Sequence, residues 1–82
     1  MRLDKYLKVS RLIKRRTVAQ EACDAGRVSV NGKPAKSAHD LKVGDEVAIA
    51  FGGKMVAVRV TELKEHALKA NADQMYEVIG ES

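Results

Sequence analysis

Seven of the fifteen residues from Arg2 to Arg16 are basic: Arg2, Lys5, Lys8, Arg11, Lys14, Arg15 and Arg16. Such side chains bind anions. Arginine in particular offers a planar fork of N–H donors that can hold a phosphate through two parallel hydrogen bonds or lie flat on an aromatic ring. Lys14, Arg15 and Arg16 stand directly before Thr17, and the spacing Thr17-x-x-Gln20 predicts a capping box with the helix starting at Thr17. A helix start already carries free backbone N–H groups and a positive dipole end. Three cations stacked there repel one another unless an anion is bound, and a phosphate would supply it. The plain alternative for such a run is a solvated helix face.

Other chemistry finds little to work with. His39 and His66 are isolated in polar segments, with no Cys or carboxylate at metal-ligand spacing, so neither a metal nor a cofactor is expected. Gly52-Gly53 has no phosphate-loop or dinucleotide pattern around it. Asp45 follows Gly44 and reads as a turn residue rather than an acid catalyst. No catalytic residue is assigned, and a binding protein rather than an enzyme is expected. Cys23 has no partner for an internal disulfide; it reads as a small core residue and fits a reducing cytosol.

The elements that must position the basic residues are few. A chain of 82 residues makes one small domain, and because it buries only roughly 60% of its surface a deep catalytic cleft is hard to build. Charged residues at 32% and hydrophobic ones at 45% are a globular balance. No apolar run approaches a membrane span, so no membrane partner and a cytoplasmic location are expected. The net charge of +4 is segregated: residues 1–42 carry +7 and residues 43–82 carry −3. A positive half of this kind suits a polyanion.

Leu3, Tyr6 and Leu7 recur at the spacing of a helix stripe, which predicts a first helix over about residues 2–10 with Tyr6 packed in the core. Leu12 and Ile13 anchor the connection to a second helix of small residues, Val18, Ala19, Ala22, Cys23 and Ala25, ended by Gly26 as a left-handed cap. Arg27 to Val30 alternates as a strand, and Asn31-Gly32 predicts a type I′ hairpin turn. Lys33 to Lys36 returns as its partner, limited to an edge by Pro34. Glu46 to Phe51 and Met55 to Val60 read as further strands, with Val47, Ile49 and Phe51 on one face and Val56, Val58 and Val60 inward. Thr61 to Gln74 reads as a loop or short helical connection, and Met75 to Ile79 as a last strand.

The pattern Arg2-Leu3-Asp4-x-x-Leu7, the basic segment after it, Ala19, Gly26-x-Val28-x-Val30-Asn31-Gly32 and Gly44-Asp45 resembles the S-four-type RNA-binding domain over residues 2–51. The resemblance implies an α+β fold: two N-terminal helices packed on a small, curved, mostly antiparallel sheet in the α-L arrangement. It implies one domain over residues 1–82, with residues 52–82 extending the sheet. Carried over by position, it implies RNA-facing sites at Arg2, Arg11, Arg15 and Arg16, with Lys5, Lys8, Lys14 and Lys36 flanking and Asp4 structural. Most family members have serine at the position of Arg15 and many have glycine at that of Arg11, so this chain adds positive charge at both.

Within the family, the segment RLDKYLKVSRLIKRR and the late Met75-Tyr76-Glu77 are similar to short heat-shock-type members that bind free large ribosomal subunits. Stopping at Ser82 without their long basic tail, the chain is similar to the compact members of Gram-positive ribosome-associated quality control. That implies these partners: ribosomal RNA of a large subunit carrying obstructed peptidyl-tRNA, the peptidyl-site tRNA itself, and the tailing factor RqcH in messenger-independent alanine tailing. The protein is expected to act as a monomer and to recognise RNA by shape and phosphate, since aromatic residues amount to only 4%. The spread of Arg2 and Lys5 against Arg15 and Arg16 suggests two RNA-facing sides. Alternatives are subunit recycling without a tailing role, an interaction module using the acidic stretch from Glu62 to Glu81, and an orphan domain of an RNA-modifying enzyme.

Overall fold

Leu3, Tyr6 and Leu7 are all fully buried in the computed structural model, which describes residues 1–64 and 75–81. They form the inner face of α1 (Leu3–Val9). Arg2, expected inside this helix, is instead extended and bridges Asp40 in an antiparallel pair. The cause is the 37–41 loop, whose carbonyls take the first helical donors: Leu3 N–H reaches His39 O at 2.8 Å and Asp4 N–H reaches Ser37 O at 3.1 Å. Leu41 N–H returns a 2.8 Å bond to the Met1 carbonyl. A helix of seven residues is too short to hold itself in water, so these ties and its buried stripe must do so. Tyr6 adds one more, its hydroxyl donating to the Met75 carbonyl at 2.7 Å. Burial, with Tyr76 nearby, pushes the Tyr6 phenol above its ordinary pKa.

The second helix, α2, spans Arg16–Asp24, one residue earlier than the Thr-x-x-Gln spacing predicts. The capping box does not form: Arg15 is the N-cap and Gln20 donates to Asp4 instead of reaching back to the helix start. Ala19, Ala22 and Cys23 are buried against α1 and the sheet, their small size allowing close approach. Burial, then the charges of Asp4 and Asp24, push the Cys23 thiol up to about 11, which keeps it protonated at neutral pH. Gly26 ends the helix as expected. It takes φ +78°, and the bonds Gly26 N–H to Cys23 O and Arg27 N–H to Ala22 O complete a Schellman cap.

The sheet has five antiparallel strands in the order β2-β1-β3-β4-β5, with β1 Val28–Val30, β2 Lys33–Pro34, β3 Glu46–Phe51, β4 Lys54–Val60 and β5 Tyr76–Glu81. Pro34 lies on an edge strand, where its missing N–H breaks no ladder. Asn31 and Gly32 have φ 53° and 84°, the positive pair that a type I′ turn demands. The Asn31 side chain also clamps the start of β3, accepting from Glu46 N–H at 3.0 Å and donating to Asp45 Oδ1 at 3.2 Å. Val28, Val30, Val47, Ile49, Val58 and Val60 face the helices from the sheet. β5 starts one residue later than expected and runs on to Glu81. Most of the connection expected over Thr61 to Gln74, with His66, lies outside the described residues. No helix among the described residues is long and apolar enough to cross a membrane.

Tyr6→Phe should lower the unfolding free energy by about 1 kcal/mol, because the Met75 carbonyl keeps its 3.0 Å bond from Thr61 N–H. Urea denaturation of the two proteins checks this.

Candidate nucleic-acid interface

Asp4 is a fully buried carboxylate at the junction of α1 and α2. Five bonds converge on it. Arg2 donates through Nε to Oδ1 at 3.2 Å and through Nη2 to Oδ2 at 3.3 Å. Arg16 Nε and Gln20 Nε2 donate to Oδ2 at 3.3 and 2.9 Å, and Lys5 backbone N–H donates to Oδ1 at 2.8 Å. Burial alone would raise the Asp4 carboxyl. Hydrogen bonds from Gln20, Arg16, Arg2 and the Lys5 backbone outweigh it and hold the group below the usual aspartate range.

The two arginines keep 49% and 45% of their side-chain surface in solvent, so each turns one edge of its fork to Asp4 and the rest outward. Arg2 and Arg16 therefore do not stand on two sides, as their sequence spacing suggests; one buried carboxylate joins them into a single site. Arg16 and Gln20, one turn apart on α2, serve the same acceptor.

The other cations surround this pair unevenly. Lys8 is exposed in the last turn of α1, Arg11 and Lys14 are exposed in the connection, and Arg15 is exposed at the start of α2. Lys5 is half-buried. No side chain caps α2 and no acidic residue stands in its first turn, so Arg15 and Arg16 sit at an open, positive helix end. Lys36 lies elsewhere: its ammonium is 3.5 Å from the Asp24 carbonyl, at the opposite end of α2, roughly 12 Å along the axis from Arg16. There it complements the negative helix end and does not join the cluster.

Arg11 explains the sharp turn out of α1. It has φ +64°, and its N–H bonds the Lys8 carbonyl at 3.1 Å while Ile13 N–H reaches Leu7 O at 3.0 Å. This left-handed position is natural for glycine and costs another residue about 1 kcal/mol. Ile13, buried at the end of the turn, fixes the helix pair, with Leu12 packed partly against the core.

The helix pair, the Asn31-Gly32 turn and the Gly44-Asp45 turn fall in the stretch that matches a family model, the S4 domain, over residues 1–47. The chain belongs to the S4 domain family. It is 60% identical over 82 residues to the RQC P-site tRNA stabilizing factor of Streptococcus pneumoniae, covering 100% of this chain and 93% of that one. It is 56% identical over 81 residues to the factor of the same name from Bacillus subtilis, covering 99% and 94%. Among solved structures, trimeric heat shock protein 15 of Vibrio cholerae superposes with a TM-score of 0.89 at 25% identity, over 96% of this chain and 81% of that one. The α+β fold expected from the S4 resemblance is thus the fold observed. Within this S4 domain, the part that sequence alone did not yield is the Asp4 network. Gln20 reads locally as a capping residue, and only the folded helix pair reveals its distant acceptor.

Two variants check this account. Asp4→Asn should lose about 2 kcal/mol of stability. It should also flatten the acid limb of the pH–stability profile. The folded carboxyl titrates below its ordinary value of 3.8, so its contribution is full above that pH and lost as pH falls through the folded value. Arg11→Gly should raise stability by about 1 kcal/mol through relief of the left-handed strain, measured by denaturant unfolding, while removing one surface cation.

Proposed function

We propose that this protein is a non-catalytic RNA-binding factor of ribosome-associated quality control. It binds the large ribosomal subunit carrying obstructed peptidyl-tRNA, contacts ribosomal RNA and the peptidyl-site tRNA, and supports messenger-independent alanine tailing with RqcH. The observation that carries this reading is the half-exposed Arg2–Arg16 pair fixed on a buried carboxylate at an open helix end. That the relatives from Streptococcus pneumoniae and Bacillus subtilis are RQC P-site tRNA stabilizing factors supports a P-site tRNA as the partner.

Recognition runs through phosphate and shape. Arg2 and Arg16 are already oriented, so little rotamer entropy is lost when a phosphate meets their outer N–H groups. Lys8, Arg11, Lys14 and Arg15 extend the positive surface to neighbouring phosphates, and Lys5 supports the Arg2 side. Lys36 is a secondary contact at the far end of α2. Residues 1–82 act as one unit and as a monomer in the cytoplasm, since one copy supplies both arginines.

The likeness to heat shock protein 15 favours a second reading, subunit recycling without tailing. Pull-down of the tagged protein, with sequencing of bound RNA, separates the two. Large-subunit RNA with peptidyl-tRNA is the expected result; large subunits without tRNA would mean recycling. With about five phosphates neutralised, log affinity for large subunits should fall with log salt at a slope of roughly −3 to −5. Arg16→Ala should weaken binding and reduce the slope by about 1. Wild-type co-sedimentation and tailing by Arg16→Ala would refute the assignment.

A further inference from the structure

An apolar groove opens between α2 and the β3–β4 hairpin, lined by Ile13, Val18, Ala22, Ile49 and Phe51, with Arg27 as its charged member. Ile13 and Ile49 belong to the core, but Val18 and Phe51 are left 46% and 39% exposed. Phe51 is the chain's only phenylalanine. It ends β3 opposite Lys54, where the helices no longer cover the inner face of the sheet. The groove also borders the basic segment: Ile13 directly precedes Lys14, and Val18 lies in the first turn of α2 just after Arg15 and Arg16. Uncovered apolar surface and uncovered cations thus meet at one place.

A partner that satisfies both must carry a flat apolar body next to an anion, which is the chemistry of a nucleotide. Bases that leave a stack are held on aromatic rings and arginine planes beside a positively charged backbone track. An aliphatic side chain of a protein would fill the groove but leave the cations unused. We infer that this groove receives an unstacked nucleobase of the bound RNA. Phe51 and Arg27 supply its stacking surfaces, and Lys14 and Arg15 meet the adjoining phosphate. The inference rests on the RNA-binding reading above and adds to it a base-holding site distinct from the Arg2–Arg16 pair.

The test titrates the full-length protein with adenosine monophosphate and, separately, with ribose 5-phosphate, following side-chain NMR resonances. Adenosine monophosphate should shift the Phe51 ring and Val18 methyl signals saturably, and ribose 5-phosphate should leave them in place. Phe51→Leu should weaken this binding, and binding to large subunits, at least tenfold, whereas Phe51→Tyr should retain both. Failure of adenosine monophosphate to move Phe51 or Val18 overturns the inference. So does full subunit affinity in Phe51→Leu, the result expected if an apolar protein side chain fills the groove. The double variant Arg2→Ala/Arg16→Ala should keep the nucleotide shifts while losing subunit binding. If it binds subunits fully, the phosphate site is misassigned, a failure separable from that of the base site.

Discussion

A carboxylate taken out of water is costly unless charged and neutral donors surround it. Asp4 meets that demand with two guanidinium groups, a side-chain amide and a backbone N–H. The consequence is mechanical as well as electrostatic. Helices of seven and nine residues have little intrinsic stability, and their mutual placement depends on what joins them. Asp4 joins them from inside, while Ile13 and the left-handed Arg11 close the turn between them. Because both arginines are themselves the ligands of Asp4, the interaction that sets the helix pair also sets the direction of the two cations that leave it.

The rest of the charge is arranged differently. On the sheet, Arg59 lies between Glu46 and Glu77 at 3.9 and 3.7 Å, and Lys54 pairs with Glu81 at 3.3 Å. Such exposed pairs contribute little to stability, but they balance the acidic half locally and leave it with less field than its net charge suggests. At the start of α2 no acidic residue stands in the first turn, and the carboxylate that Arg16 meets is the buried Asp4. The asymmetry in the sequence is therefore sharpened by folding: acids on the sheet find cations, and most cations on the helix pair are left to solvent. This is why the helix surface rather than the acidic half is the better reading of where the protein works.

Much of the fold was legible because its signals are local. The Leu3–Tyr6–Leu7 stripe, the Gly26 cap, the Asn31-Gly32 turn and the edge position of Pro34 each follow from rules acting over a few residues, and each is observed. Non-local placement is not legible in the same way. Gln20 has the right spacing to cap its own helix, but a buried carboxylate outcompetes that bond. Arg2 looks helical by position, but pairing with Asp40 holds it extended. Lys36 is a basic residue like the others, and only the return of the chain from β2 brings it to the far end of α2. Phe51 shares its inward alternation with Val47 and Ile49, yet the sheet outruns its helical cover there. Sequence spacing tells which face a residue is on, not whether a neighbour reaches it.

The central claim is that Asp4 acts on RNA affinity through the two arginines it holds. The direct measurement is a thermodynamic cycle on large-subunit affinity, with Asp4→Asn introduced into the wild-type protein and into the Arg2→Ala/Arg16→Ala background. If Asp4 positions the pair, the substitution should weaken binding about tenfold in the first case, a coupling of about 1.4 kcal/mol, and have no effect in the second. Equal effects in both backgrounds, or tighter binding once the negative charge is removed, would contradict the account.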